Sequence, residues 1–325
     1  MSSRYLVVLP DDLARFILDF IHDVRKSLWI KMFVFCDAQI LEAVIQAHRR
    51  GVKIRIMLNP ARRDGETENA ETRRRLEAEG IAVIDSTPAF DLTHEKSMVV
   101  DDKSAWIMSL NWETKNLTET RDYAVVTSHA HEVQEITDCF EADWARKAFS
   151  PDDHSHMIWC VGNARQRIAQ FIDETKHTLW VQNERYQDPL IIEHFVRAQE
   201  RGVKVHIMAR PPHTLKTEKL VEGVAGLCIL DDVGVKVHKV RGLKLHAKLL
   251  FADGVRAIVG SINLAPGSFN SRRELAIEVR DQDVVDRIHK VVHQDWQNSH
   301  PMDLSDEGLL ADLGEERGGN IVSTS

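Results

Sequence analysis

The sequence has few cysteines, and no run of apolar residues in it is long. Four cysteines are scattered through 325 residues, and none forms a CxxC pair. The spacing therefore gives no pattern for a zinc site or a dithiol redox site, and scattered thiols in a chain this long indicate a reducing compartment. No apolar stretch is long enough to span a bilayer. We expect neither a metal nor a cofactor.

The amino-terminal segment lacks the pattern of a secretory signal. The sequence MSSRYLVVLPDDLARFILDF has no basic region ahead of an apolar run, and Asp11 and Asp12 interrupt it. Signal sequences need both features. We therefore predict a cytoplasmic protein, for which any association with a membrane is peripheral.

An excess of basic charge is also missing. The net charge is −8, and residues 301–325 account for −5 of it with six acids and one base. The preceding residues are thus nearly neutral, which excludes a chain-wide basic field for nucleic acid but leaves a local basic groove open. We predict that residues 301–325 form a flexible acidic tail.

The composition is that of an ordinary globular protein, with 43% hydrophobic and 28% charged residues. Collagen-like, coiled-coil and wholly disordered chains are excluded by these values. The length suggests about two domains, each able to bury a core without disulfide or metal cross-links.

The sequence repeats itself once over a long period. The segment SLWI at residues 27–30 returns as TLWV at 178–181, and RGVKIRIM at 50–57 returns as RGVKVHIM at 201–208. Both pairs lie 151 residues apart, and one extra residue in the second copy makes the offset 152 further along the chain. A period of this length predicts two duplicated domains and not a solenoid of short units.

The repeat covers nearly all of the chain ahead of the acidic tail, from about residue 14 to 147 and from about 165 to 299. We therefore predict an N-terminal domain at 1–150 and a C-terminal domain at 151–300.

Helical and extended patterns alternate within each copy. This alternation predicts an α/β fold with mostly parallel sheets, covered by helices on both faces, whose functional sites lie at strand ends. In the first copy the predicted helices span 13–24, 38–50, 65–79 and 130–147, and the predicted strands span 28–35, 52–58, 96–101, 104–108 and 122–127.

A set of polar residues recurs in both copies at an offset of 152. One HxK pair arises easily by chance, but two copies of HxKxxxxD, each followed by SxN and an acid at the same spacing, are a strong signal. The first set is His94, Lys96, Asp101, Ser109, Asn111 and Asp122, and the second is His246, Lys248, Asp253, Ser261, Asn263 and Glu274.

These residue types suit chemistry on a phosphodiester. In an extended segment His94 and Lys96 point to one face, and so do His246 and Lys248. If the copies pack about a two-fold axis, both pairs enter one cleft, where lysines and asparagines surround an anion. One histidine then attacks phosphorus and the other protonates the leaving oxygen.

The remaining polar positions allow more than one interpretation. Asp122 and Glu274 either hold the second ring nitrogen of a histidine or pair with the adjacent Arg121 and Arg273. The side chains of Asn111 and Asn263 are expected to donate to phosphate. Ser109 and Ser261 either contact phosphate or close a turn, and Asp101 and Asp253 are expected to close the turn after a strand.

The two sets resemble the HKD motifs of the phospholipase D superfamily. The second copy matches the pattern HxKxxxxDxxxxxxGSxN in full, with Gly260 ahead of Ser261. The first copy has Met108 where glycine is expected. A side chain there would narrow the pocket or move a backbone amide away from phosphate.

The resemblance implies two α/β/α sandwiches related by pseudo-two-fold symmetry, with one active site between them. It implies phosphodiester cleavage or transfer through a phosphohistidine, without metal. It also implies that His94 is the nucleophile and His246 the general acid. Since both motifs lie in one chain, a monomer is sufficient for one site.

The motif leaves the substrate open. We favour phospholipids, and an activity like that of a phospholipase D or a cardiolipin synthase, because the body of the chain is nearly neutral and so unsuited to strong binding of a polyanion. The alternative is a nuclease with the same mechanism, and the third interpretation is a phosphate-binding module with little catalysis.

Overall fold

A computed structural model of the chain describes residues 3–12, 14–60, 68–152, 155–211, 217–305 and 307–309. Three predictions fall partly outside these ranges. They concern Leu13 at the start of the first helix, the beginning of the helix at 65–79, and the acidic tail beyond residue 309.

The first half of the chain alternates strands and helices, as predicted. Its elements are β1 (Arg4–Leu9), α1 (Arg15–Asp23), β2 (Ser27–Met32), α2 (Ala38–Arg49), β3 (Lys53–Leu58), α3 (Ala70–Ala78), β4 (Ala82–Asp85), β5 (Leu92–Thr93), β6 (Ser97–Val100), β7 (Ser104–Met108), α4 (Thr114–Thr118), β8 (Thr120–Thr127) and α5 (Ala130–Trp144). The sequence patterns did not predict β1, β4, β5 or α4.

The second half repeats this order. Its elements are β9 (Met157–Cys160), α6 (Ala164–Glu174), β10 (Thr178–Asn183), α7 (Pro189–Glu200), β11 (Lys204–Ala209), α8 (Thr217–Asp232), β12 (Lys236–Val240), β13 (Lys244–Leu245), β14 (Leu249–Ala252), β15 (Arg256–Gly260), α9 (Pro266–Ser271), β16 (Arg272–Val279), α10 (Gln282–Gln297) and β17 (Ser299–Pro301).

The strands form two sheets with mixed pairing. The first has the order β1-β8-β7-β6-β2-β3-β4, and the second has the order β17-β12-β11-β10-β14-β15-β16-β5. Pairing is parallel where α2 or α7 connects the strands, as in β2–β3 and β10–β11. The sheets contain more antiparallel pairing than we predicted, because short turns join β6 to β7 and β14 to β15, and a short turn can connect only antiparallel neighbours.

Apolar side chains form three layers of core around the two sheets. Helices α1 and α2 cover the outer face of the first sheet, and helices α6, α7 and α8 cover that of the second. The third layer joins the inner faces of both sheets to α5 and α10, for example through Val125, Ile136, Val259 and Ile288. Helices therefore cover both faces of each sheet, which confirms the predicted pair of α/β/α sandwiches.

The same local signal starts the equivalent helix in each half. The carboxylate of Asp37 accepts hydrogen bonds from the backbone of Gln39 and Ile40 at the start of α2, both at 3.0 Å. Asp188 accepts one from the backbone of Ile191 at the start of α7, at 3.2 Å. An N-cap of this kind satisfies backbone donors that have no partner within the helix.

Each half lends a short strand to the sheet of the other half. Strand β5 pairs in parallel with the start of β16, and β13 pairs in parallel with the start of β8. Since His94 follows β5 and His246 follows β13, each histidine is carried across to the opposite sheet. Apart from these two strands, the first sheet is built from residues before 150 and the second from residues after it. We therefore propose 1–150 and 151–300 as the domains.

Asp101 and Asp253 lie at the turns that follow β6 and β14. Both have left-handed backbones, with φ of 54° and 53°. The carboxylate of Asp101 accepts hydrogen bonds from the backbone of residues 25–27, the shortest at 2.6 Å. The carboxylate of Asp253 likewise accepts hydrogen bonds from the backbone of residues 176–178, the shortest at 2.7 Å. Each aspartate ties a β-turn to the segment ahead of β2 or β10, which supports a structural role.

We expect Asp101→Asn to destabilise the fold at neutral pH without stopping turnover by the folded protein. Burial would raise the pKa of Asp101, but the backbone N–H groups of Ser27, Lys26 and Arg25 hold it below its usual value. A depressed pKa stabilises the fold above the pKa of the unfolded chain and loses that effect as the pH falls through the folded value. Urea unfolding should show a loss of about 1–2 kcal/mol near pH 7, which shrinks below about pH 4.

The adjacent exposed residue provides the control. Asp102→Asn removes the same charge, and its effect should stay within about 0.5 kcal/mol. A folded Asp101→Asn protein of normal stability that no longer turns over would contradict the structural role.

Candidate active site

Each histidine of the repeated motif is paired with a carboxylate from the other half. His94 Nδ1 lies 2.9 Å from Glu274 Oε2, and His246 Nδ1 lies 2.8 Å from Asp122 Oδ1. Both acids are fully buried. Contact at Nδ1 fixes the ring and leaves Nε2 for chemistry. Of the two interpretations open for these acids, the structure favours the orientation of histidine.

The lysines fold back onto the histidines of their own motifs. Lys96 Nζ donates to the backbone oxygen of His94 at 2.5 Å, and Lys248 Nζ donates to that of His246. Each bond joins the lysine side chain to the backbone two residues earlier, so it holds the ammonium group against the segment that carries the histidine. Both lysines are buried. Burial, followed by the charge of Lys248, holds the pKa of Lys96 well below its usual value.

Asp122 is held as an anion by several donors. The hydroxyl groups of Ser109 and Thr120 donate to it, each at 2.5 Å, and the amide of Asn116 does so at 3.4 Å. Burial would raise the pKa of Asp122, but the ring of His246 and these neighbours bring it below its usual value. The His246–Asp122 pair therefore contains a fixed negative charge.

Glu274 lies in a different environment. Burial raises its pKa above the usual value, although Arg272 and Lys96 oppose that shift. Burial and the nearby lysines also hold the pKa of His94 well below its ordinary value. The His94–Glu274 pair therefore favours a neutral imidazole, in contrast to the pair built on Asp122.

Arg121 and Arg273 bind helices of the opposite half and do not pair with the acids next to them. Arg121 donates to both carboxylate oxygens of Asp295 on α10, at 2.9 and 2.8 Å. Arg273 donates to Asp143 on α5 at 2.9 Å. All four groups are buried, so these ion pairs lock the halves together beside the histidines.

The motif serines form hydrogen bonds to the neighbouring strand of their own sheet. Both hydroxyl groups are fully buried. Ser109 Oγ accepts from the backbone N–H of Tyr123 at 2.9 Å, and Ser261 Oγ accepts from that of Leu275 at 3.1 Å. Of the two interpretations left open for these serines, the bonds favour closure of the turn. The hydroxyls tie the loops after β7 and β15 to β8 and β16, because a buried hydroxyl needs a hydrogen-bond partner.

Met108 leaves the pocket unobstructed. Its side chain is buried in the apolar layer between the first sheet and the outer helices. Its backbone N–H donates to Lys96 O at 3.0 Å, just as that of Gly260 donates to Lys248 O at 3.2 Å. This placement argues against a narrowed pocket, and the matching backbone bonds argue against a shifted amide. Gly260 is required locally, since a Cβ there would lie 2.3 Å from the oxygen of Leu275.

Asn111 and Asn263 are buried in the loops that follow β7 and β15. Among the described residues, neither side-chain oxygen has a hydrogen-bond partner. An amide carries both donors and acceptors, so each retains unused hydrogen-bonding capacity. These unpartnered oxygens are acceptors, as phosphate oxygens are, so donation to phosphate would use the side-chain N–H groups and stays a prediction.

Comparison with known proteins decides the family. A sequence model of the family described as "Cardiolipin synthase, PLD-like domain" matches residues 17–144 and again residues 168–296. The chain belongs to this PLD-like family. Each match lies within one copy of the repeat, so the family domain is present twice.

The PLD-like chain resembles enzymes with several names. It is 29% identical to the mitochondrial cardiolipin hydrolase of Homo sapiens over 41% of this chain and 53% of that protein. It is also 29% identical to a phospholipase D of Rickettsia conorii over 40% of this chain and 61% of that protein. A polyphosphate kinase of Vibrio cholerae is 22% identical over 79% and 38% respectively. The matches thus span between about a third and three fifths of these relatives.

Solved structures confirm the fold. A phosphatidylserine synthase of Haemophilus influenzae superimposes with a TM-score of 0.74 at 11% identity, covering 98% of this chain and 94% of that one. A polyphosphate kinase of Porphyromonas gingivalis gives 0.73 at 14% identity, covering 99% and 53%. Within the described ranges, no helix of the PLD-like chain has the length and apolar character needed to cross a membrane.

A further carboxylate of this PLD-like site, that of Glu184, lies outside the repeated motif and was not predicted from the sequence. Glu184 follows β10, and its Oε2 lies 2.8 Å from Lys248 Nζ and 3.7 Å from His246 Nε2. Burial would raise the pKa of Glu184, but Lys248, His246 and Arg210 hold it well below its usual value. The site therefore contains an anion directly beside the reactive ring nitrogen of His246.

In the first half, the position equivalent to Glu184 is occupied by an aromatic residue. Phe33 lies 151 residues before Glu184. Its ring centroid is 4.8 Å from that of His94 and 5.0 Å from Lys96 Nζ. The repeat contained the signal for both residues, because alignment of the copies places an acid opposite a phenylalanine. A search for identical residues does not detect such a difference.

A second acidic cluster lies beside the PLD-like site. Ligand atoms of Glu95, Cys139 and Asp143 lie within 4.8 Å of one another, as a metal would require. The ammonium group of Lys31 already lies among them, 3.1 Å from Glu95 and 2.7 Å from Asp143. These residues therefore form a buried ion network around a lysine.

Proposed function

We propose that this chain is a phosphodiesterase of the phospholipase D superfamily that cleaves or transfers the phosphatidyl group of phospholipids through a phosphohistidine, without metal. The observation that carries the proposal is the exchange of histidine–carboxylate pairs between the halves, with a buried lysine bonded to the backbone of each histidine. This arrangement provides a nucleophile, a proton donor and cationic groups for phosphate in one cleft.

We assign the nucleophile to His94 and the general acid to His246. A nucleophilic imidazole must be neutral at Nε2, and burial lowers the pKa of His94. Both ring nitrogens of His246 face carboxylates, Asp122 at Nδ1 and Glu184 at Nε2. This geometry suits a ring that carries a proton and donates it from Nε2.

The proposed reaction then has two steps, formation and breakdown of the phosphohistidine. His94 Nε2 attacks phosphorus, the bond to the leaving alcohol breaks, and that oxygen takes a proton from His246. Water or another alcohol next gives its proton to His246 and attacks phosphorus, and the bond to His94 breaks. In both steps Lys96 and Lys248, together with Asn111 and Asn263, would stabilise the charge on the phosphoryl oxygens.

Phospholipids are the proposed substrate class. The matching family carries the description of a cardiolipin synthase, and two relatives are named as a cardiolipin hydrolase and a phospholipase D. The anion of Glu184 within the site also suits a polyanion poorly. We propose the cytoplasm as the location, with peripheral membrane contact, because all four cysteines are free thiols, which is typical of a reducing compartment.

The test is release of headgroups from mixed phospholipid vesicles in EDTA, with a primary alcohol present. We expect release together with a phosphatidyl-alcohol product, and neither with His94→Asn protein. If lipids stay intact while single-stranded DNA or RNA is cleaved, the chain is a nuclease with the same mechanism. If no substrate forms a phosphoenzyme, it is a binding module.

A further inference from the structure

Glu184 lies on the side of the site that opens to solvent. The exposed fraction of the side chain is 2% for Lys248, 12% for Glu184 and 32% for Arg210. One oxygen of Glu184 contacts Lys248, and the other lies 3.3 Å from Arg210 Nη1. The carboxylate of Glu184 therefore lies between the buried ammonium group of Lys248 and the more exposed guanidinium group of Arg210.

The mechanism places this carboxylate beside the alcohol and away from the attacking histidine. In an in-line displacement the leaving oxygen lies opposite the nucleophile, His94, and next to the proton donor, His246. Glu184 Oε2 is 3.7 Å from His246 Nε2, the atom that serves the leaving oxygen. The rest of the leaving alcohol must therefore pass close to Glu184.

The first half has no equivalent charge, since Phe33 occupies the matching position. Only the His246 side of the described site thus carries an anion next to the reactive nitrogen. Without it, Lys248 and Arg210 would present two cations to the leaving group. With it, an anionic leaving group meets a repulsive charge at short range, whereas a neutral or cationic one does not.

We propose that Glu184 selects the alcohol by charge, admitting neutral and cationic alcohols and rejecting anionic ones. This inference rests on the proposed function. By microscopic reversibility the acceptor of the second step enters where the first alcohol left, so the same residue selects both. The acceptor forms a phosphorus–oxygen bond, its proton goes to His246, and the bond from phosphorus to His94 breaks.

The test is a competition between acceptors of equal size and different charge. Mixed phospholipid vesicles are supplied with equal amounts of ethanolamine, ethylene glycol and glycolate, and the three phosphatidyl products are measured by mass spectrometry. We expect the wild-type protein to form little phosphatidyl-glycolate. Glu184→Gln should raise the ratio of glycolate product to ethanolamine product about tenfold or more. The ratio of the two products can be measured even if the total rate of transfer falls. If Glu184 only positioned Lys248, its loss would slow transfer to both acceptors equally and leave the ratio unchanged.

Two further variants test the sign of the effect. Glu184→Asp keeps the charge and should keep the low ratio. Arg210→Gln removes the cation at the rim and should lower the ratio further, and it decides the question if Glu184→Gln is inactive. Glu193→Gln serves as the control, since it removes the same charge from an exposed ion pair with Arg197 on α7 and should leave the ratio unchanged.

The outcomes separate this inference from the function on which it rests. Transfer by the wild-type protein with the same product ratio in Glu184→Gln would overturn the charge selection alone. Absence of any phosphatidyl product from the wild-type protein, together with no turnover of bis(p-nitrophenyl) phosphate, would overturn the proposed function and this inference with it.

Discussion

His94→Asn should abolish turnover of bis(p-nitrophenyl) phosphate, whereas His246→Asn should release one equivalent of p-nitrophenol per site and then stop. The two variants differ because p-nitrophenolate leaves without a proton, so the first step does not need His246. The second step does need it, since water must lose a proton to attack the phosphohistidine. We expect each steady-state rate to fall by about 10⁴-fold or more.

Asparagine is chosen because it keeps a polar group beside the buried partner of each ring. Glu274 is fully buried, and an alanine at residue 94 would leave it without that partner, at a cost of about 1–3 kcal/mol. His131→Asn is a matched control, because His131 is exposed and pairs with Asp152 on the surface. It should turn over normally.

The measurement is rapid-quench detection of p-nitrophenol with isolation of the phosphoprotein. A phosphoramidate linkage is labile in acid and stable in base, so its chemistry identifies histidine. A burst in His94→Asn with none in His246→Asn would reverse the two roles. A normal steady state in either variant would contradict the mechanism altogether.

Much of this site could be predicted from the repeat, since periodic and duplicated patterns are local properties of the sequence. The HxK spacing predicted that each pair shares a face, and the offset of 152 indicated the two acids that contact the histidines. The exchange of acids between the halves was not predictable in this way. It depends on β5 and β13, which contain two residues each and are too short to show any periodicity.

The serines and Met108 show a second limit. A motif gives the identity of a residue but not the direction of its side chain, and burial decided all three positions. Ser109 and Ser261 bond the neighbouring strand, and Met108 joins the outer core. Sequence reasoning also treated the halves as equal, although Phe33 and Glu184 give the two histidines different surroundings.

These differences explain how a duplicated fold can assign two roles to two histidines. The pKa of Asp122 is lowered and that of Glu274 is raised, because more donors reach the aspartate. The duplication brings the groups together across the sheets, and substitutions at a few positions give the two histidines the different surroundings that the proposed roles of nucleophile and acid require.

Arg121→Ala should destabilise the fold by about 3–5 kcal/mol in urea unfolding at neutral pH, with loss of activity at temperatures where the protein remains partly folded. The arginine joins β8 to α10 of the other half through two bonds to Asp295. Its removal leaves a buried carboxylate whose remaining side-chain donor is the amide of Gln182, at 2.8 Å. A neutral amide compensates a buried charge poorly.

Arg273→Ala, the equivalent variant in the other half, should lower the free energy of unfolding by less than Arg121→Ala does. Arg273→Ala leaves Asp143 bonded to Lys31 at 2.7 Å, so that carboxylate keeps a cation and the loss should be smaller than for Arg121→Ala. Arg74→Ala, in an exposed pair with Glu71, should leave the free energy of unfolding nearly unchanged. Equal losses for Arg121→Ala and Arg74→Ala would mean that the exchanged ion pairs do not hold the halves together. A larger loss for Arg273→Ala than for Arg121→Ala would mean that Lys31 does not compensate Asp143.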